Sequence, residues 1–232
     1  MSEPGTAGAS QAAELHASLL TGMHAMAQPL TLLRSHFYLA ELSTTGAPSE
    51  QQLGVDAAAA VDHLCTVFRL MQELVHVQSV QARVVVTPLS RVIGLLAEDA
   101  EIVFAGSGLR LDMRRDGHAA GVGESLEPID EGGLPGVSID LTRTRQAIAS
   151  MLHIVRECAN SVVSCTLSAG DGWVELCLRP DASGCGQESF DDASRLHLAL
   201  ARASMQGQQA ALALVAEPLA LSIRMPVAEP AA

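Results

Sequence analysis

The stretch Met23-His24-Ala25-Met26-Ala27-Gln28-Pro29-Leu30 sits inside a longer apolar pattern. Leu15, Leu19, Met23, Met26, Leu30, Leu33, Phe37 and Ala40 recur at steps of three and four. That period marks one face of a helix. His24 follows Met23 by one residue, so it falls at the flank of the seam and not within it. Gln28 stands one turn further on and shares the face of His24. Pro29 has no N–H to give to the helix, and a local bend is expected there.

Downstream, Leu53, Ala57, Ala60, Leu64, Val67, Met71 and Leu74 repeat the same pattern. Between the two stripes lies Ser43-Thr44-Thr45-Gly46-Ala47-Pro48-Ser49, a run of turn formers with Ser49 placed as an N-cap. A short break between long helices implies an antiparallel hairpin, here over residues 13–82. Residues 1–12 read as a flexible tail. A lone hairpin cannot cover both stripes. Each large aliphatic side chain gains roughly 1.5–3 kcal/mol on full burial, so a homodimer forming a four-helix bundle is expected. The competing arrangement packs the hairpin on the rest of its own chain.

From Val84 the texture changes. Val84-Val85-Val86 reads as a strand, and Pro88 opens a helix. Leu109–Met113 alternates like a half-buried strand. Residues 114–136 read as a long loop, Val137–Ile139 as a short strand, and Asp140 as the cap of a helix near 141–160. Val162–Ser168 and Trp173–Arg179, joined through Gly170-Asp171-Gly172, form a hairpin signal. A helix near 192–206 and strands near 211–216 and 219–225 complete the pattern. The fold class is α+β: the helical hairpin, then an α/β sandwich over residues 83–228 with helices on one face of a mixed sheet.

Composition narrows the functions. The formal net charge of the 232 residues is -12. All 14 basic residues are Arg, and no basic run exceeds Arg114-Arg115. Nucleic-acid binding needs a basic face, so no nucleic-acid partner is expected. The five Cys form no CxxC pair, and no metal site is expected. Cys65, Cys158, Cys165 and Cys177 lie in apolar patterns and read as small buried hydrophobes, which suits a reduced, cytoplasmic setting. No signal-peptide pattern and no membrane-length apolar run occurs, so no membrane partner is expected.

The His24–Pro29 spacing on the first helix of a dimerising hairpin resembles the phosphoacceptor box of sensor histidine kinases. The likeness spans about residues 13–226. The second helix, the strand with its Pro-initiated helix, Asp140 before a long helix, the Asp-Gly hairpin and the closing strands follow the family's order. That order is a dimerisation and histidine-phosphotransfer hairpin joined to a GHKL-type ATPase domain. The resemblance implies that His24 is the phosphoacceptor and that Gln28 can position a water for dephosphorylation. It also exposes a departure: the family carries Glu or Asp directly after the His, as general base, where this chain has Ala25.

The nucleotide site departs further from the family pattern. The helix that should supply a magnesium-binding Asn reads His153-Ile154-Val155-Arg156-Glu157-Cys158, and the only Asn in the chain is Asn160. Glu157 is the carboxylate that could face magnesium. Asp181, Gly184 and Gly186 resemble the adenine-reading box with one residue too many. The Gly-rich phosphate turn is replaced by Ser194-Arg195-Leu196-His197-Leu198. Glu157, Asp181, Gly184 and Gly186 therefore read as a relic ATP site, and no cofactor is expected. The resemblance implies a histidine phosphotransferase or pseudokinase that exchanges phosphate with a response-regulator receiver domain. The alternatives are a divergent kinase using Mg-ATP, and a non-catalytic dimeric scaffold that binds a regulator or kinase.

Overall fold

The computed structural model describes residues 5–42, 50–116, 126–127, 134–182, 188 and 190–228. Five helices and eight strands follow one another among them: α1 (Gly5–Leu42), α2 (Glu50–Ser79), β1 (Val85–Pro88), α3 (Leu89–Val103), β2 (Arg110–Asp116), β3 (Leu126–Glu127), β4 (Gly136–Ile139), α4 (Leu141–Cys158), β5 (Val162–Gly170), β6 (Trp173–Pro180), α5 (Asp192–Met205), β7 (Ala211–Val215) and β8 (Ala220–Pro226). The class is α+β, with a helical part ahead of a mixed sheet. Helix α1 begins at Gly5 and so reaches into the segment read as a tail.

The chain divides into two compact units. One holds Met1–His76 with Asp191–Ala199, and the other Val77–Phe190 with Leu200–Ala232. The last turn of α2 thus belongs to the α/β unit.

Within the helical unit, α2 buries Ala60, Val67, Leu70 and Leu74, close to the stripe expected from its sequence. On α1 the outcome differs. Gly22, Ala25 and Pro29 are buried, Leu15, Leu19, Met26 and Leu33 are half-buried, and Met23 and Leu30 are exposed. The stripe expected on α1 is thus split within one chain, with Met23 and Leu30 on its exposed part. The reason is steric. At Gly22 a Cβ would stand 2.5 Å from Sδ and 2.7 Å from Cγ of Met71. Small residues let the helices approach closely, and the larger side chains turn elsewhere.

The α/β unit has a six-stranded sheet in the order β3-β2-β5-β6-β8-β7, and a separate pair β1-β4. Strands β2 and β5 run parallel, and the other sheet neighbours antiparallel. Alternation sorts each strand into two faces. Val163, Cys165 and Leu167 of β5, Val174, Leu176 and Leu178 of β6, and Leu221, Ile223 and Met225 of β8 are buried. The opposite face carries Ser164, Thr166, Glu175, Arg179 and Arg224. The β5–β6 turn closes at Asp171-Gly172, where Gly172 takes φ +78°, a conformation that glycine adopts without strain. Helices α3 and α4 pack together, joined by the bidentate pair Asp99–Arg145 at 2.6 Å. The hydrogen bond to Asp99 raises the Arg145 pKa.

Of the four cysteines read as small buried hydrophobes, Cys158 and Cys165 are buried. Cys165 is buried, and burial pushes its thiol up to about 12. Cys177 is half-buried and also raised by burial. Cys65 is exposed on α2, which corrects its assignment to the interior. It falls between the exposed Val61 and Phe68, so its apolar surroundings in sequence belong to an outward stripe. Cys158 is buried and disulfide-bonded.

Candidate functional site: the exposed face of helix α1

A helix turns about 100° per residue. Ala25 is 1% exposed and faces the α1–α2 seam. One step back, His24 is therefore carried out of the seam, and it is exposed. Gln28, at i+4 from His24, is exposed too, so the two share an outward strip of α1. Thr21 and Thr31 lie near the same strip, and their hydroxyls donate to Ala17 O at 3.0 Å and Ala27 O at 2.8 Å. Pro29 lies within the helix, and having no N–H it leaves the Ala25 carbonyl without its i+4 donor.

An imidazole in this setting can meet a donor arriving from solvent. Position 25 faces the neighbouring helix. A carboxylate there would be buried in an apolar seam instead of standing beside the imidazole.

Two of the residues read as a relic nucleotide site, Glu157 and Asp181, are held by neighbours. Glu157 is exposed in the last turn of α4 and pairs with Arg156 at 2.7 Å. Asp181 follows β6, and its carboxylate accepts from Ser161 Oγ at 2.7 Å, Asn160 N at 2.7 Å and Val162 N at 3.1 Å. The Ser161 hydroxyl, followed by the Asn160 N–H, lowers its pKa to about 2. Asp181 thereby fastens the turn between α4 and β5. Gly184 and Gly186 lie outside the described residues.

Sequence reasoning missed Asp191. Its Oδ1 accepts from Ser194 N at 2.7 Å, and Arg195 N donates to its carbonyl at 3.0 Å. A carboxylate thus occupies the N-terminus of α5, the kind of place where a phosphate would otherwise find free N–H groups. The signal was an acid three residues before Ser194, legible as an N-cap. Leu196, His197 and Leu198, which replace the expected glycines, are buried.

A groove of about 370 Å³ lies between α3 and β2, lined by Ala97, Ala100, Glu101, Phe104, Leu109 and Met113 among others. None of the candidate site residues His24, Gln28, Glu157 and Asp181 lines it. Among the described residues, no group of His, Cys, Asp and Glu is arranged to hold a metal ion. No described helix is long and apolar enough to cross a membrane.

Two expected outcomes follow from these contacts. Ala25→Glu should lower hairpin stability by about 2–4 kcal/mol, since it places an unpaired charge in the seam. Chemical denaturation followed by circular dichroism measures the loss, and wild-type stability would contradict the burial of position 25. For Asp181 the folded pKa is depressed, so its stabilising contribution is complete above about pH 4, the unfolded carboxylate value. The contribution is lost as pH falls from there toward about 2. Carboxyl-carbon NMR should give that low midpoint, whereas a midpoint near 4 would contradict the hydrogen-bond set.

No protein-family model matches the sequence, and no curated protein matches it either. Solved structures do resemble the fold. The histidine kinase AdeS of Acinetobacter baumannii aligns with a TM-score of 0.62 at 13% identity, over 89% of this chain and 98% of that one. Full-length ShkA, solved in complex with AMPPNP, aligns with a TM-score of 0.55 at 16% identity, over 92% of this chain and 46% of that one. The chain thus spans slightly under half the length of ShkA. The architecture built by these residues is histidine kinase-like: a helical hairpin followed by a GHKL-like α/β domain.

Proposed function

We propose that this protein is a histidine phosphotransfer module of the two-component type, acting as a dimer, with His24 as the phosphoacceptor. The observation that carries the reading is the joint exposure of His24 and Gln28 on one strip of α1, directly beside the buried seam. The partner is a response-regulator receiver domain. A ring nitrogen of the neutral His24 attacks the phosphorus of the receiver's aspartyl phosphate. The P–O bond to the carboxyl breaks, the carboxylate leaves, and the other ring nitrogen releases its proton to solvent. Displacing an acyl phosphate demands less of a general base than attack on ATP, which fits Ala25 beside the histidine. Gln28 positions the water that later returns the site to its free state.

The α/β unit serves docking and not ATP chemistry. Asp191 at the head of α5 and the engagement of Asp181 with backbone N–H groups both support this. A second phosphate charge beside Asp191 would meet like-charge repulsion.

Dimerisation is supported by apolar surface left uncovered on the hairpin. Val61, Phe68 and Val75 recur every seven residues along α2, and Leu20, Met23 and Leu30 at steps of three and seven along α1; all are 46–59% exposed. Such heptad stripes suit a second copy packing into a four-helix bundle. At roughly 1.5–3 kcal/mol per fully buried large side chain, six of them outweigh the cost of association.

The transfer is tested with a panel of receiver domains charged by acetyl phosphate. At least one should pass acid-labile phosphate to the wild type, and His24→Ala should lower the yield by at least about 100-fold. Equal labelling of the variant would refute the assignment. For the dimer, Leu30→Glu should convert a two-chain mass in sedimentation equilibrium to a one-chain mass, with helicity retained. A monomeric wild type would refute the bundle.

A further inference from the structure

The side chain of Arg143 is buried, the residue being 8% exposed. Among the described residues no carboxylate forms an ion pair with its guanidinium. Its charge is met by backbone carbonyls instead. Nη2 donates to Val77 O at 2.7 Å and to Val80 O, and Nη1 donates to Gln206 O at 3.0 Å. Helix α2 ends at Ser79 and α5 at Met205, so two helix C-termini converge on one cation. Carbonyls at a helix end lack intrahelical donors and carry the negative end of the helix dipole, which is why a buried guanidinium is tolerated there.

One turn earlier, Asp140 completes the arrangement. Its Oδ1 accepts from Arg143 N at 3.1 Å, and its Oδ2 from Arg83 N at 2.7 Å. Its own N–H donates to Gln208 Oε1 at 2.7 Å, and Gln208 Nε2 donates to Ser204 O at 2.9 Å. The N-terminus of α4, the end of α2, the connector from Val80 to Arg83 and the end of α5 are thus tied through the side chains of Asp140, Arg143 and Gln208.

We propose that Asp140 and Arg143 form a latch that pins the last turn of α2 and the connector Val80–Arg83 onto the α/β unit. Segments between helical and globular units are ordinarily free to flex. Here the connector has lost that freedom, because Asp140 holds its N–H at Arg83 and Arg143 holds its carbonyl at Val80. The connector is therefore held as part of the α/β unit, which begins at Val77. The latch rests on these contacts alone and does not depend on phosphotransfer at His24.

Limited trypsin digestion of the full chain tests the latch, because trypsin cuts after Arg and Arg83 lies in the connector. Arg143→Ala should speed cleavage of the Arg83–Val84 bond by about tenfold or more, the effect of losing charge-assisted hydrogen bonds. Amide exchange of residues 77–83 should quicken by a similar factor, while β5 and β6 keep their protection. Arg143→Lys should fall between, since one ammonium cannot span three carbonyls set for a planar fork. Unchanged cleavage in Arg143→Ala overturns the latch, and so does a uniform loss of protection through β5 and β6. Should that variant fail to fold, the wild type still decides. Its Arg83 amide should be protected from exchange, and free exchange there overturns the proposal.

Discussion

The close approach of α1 and α2 governs the functional surface of this protein. Gly22 meets Met71 with no room for a Cβ, and Ala25 and Pro29 fill the same side of α1. Once those residues are committed inward, helical geometry fixes every other direction on α1. His24 and Gln28 face solvent on one flank, and Met23 and Leu30 form an apolar stripe on another. One packing decision thus leaves a polar strip and an apolar strip exposed on α1. Ala25, the residue beside the histidine, serves the seam.

The α/β unit retains a framework while its polar groups serve other ends. The inward faces of β5, β6 and β8 form a continuous apolar layer, and the β5–β6 turn needs its glycine. These features depend on alternation and turn chemistry. The carboxylates tell a different story. Asp181 ties Asn160, Ser161 and Val162 together, Asp191 closes the head of α5, and Glu157 pairs with Arg156. Each charge is spent within the fold.

Much of this was legible in the sequence. The order of elements after Val84 emerged from β-branched runs, Pro88, the Asp140 cap and the Gly170-Asp171-Gly172 turn, because these signals are local. The stripe of α2 was placed nearly correctly. On α1 periodicity alone did not separate the residues that lie against α2 from Met23 and Leu30, which one chain leaves exposed. Burial of Gly22 and Ala25 depends on how near the second helix comes, which is a tertiary fact. Cys65 was misplaced for the same reason. Asp191 was visible as a capping residue, yet its meaning depended on knowing which helix end a phosphate would approach. The joining of Arg143 to Val77, Val80 and Gln206 spans more than sixty positions in sequence and leaves no local trace.

The central claim is that His24 is a chemically competent phosphoacceptor in the folded chain. Phosphoramidate, a small donor that needs no protein partner, tests it most directly, with phosphorus NMR of the intact protein as the readout. The account predicts one phosphohistidine resonance that disappears in His24→Ala and persists when the other histidines are replaced. A resonance that survives in His24→Ala, or no labelling of the folded wild type while the denatured chain is labelled, would contradict it.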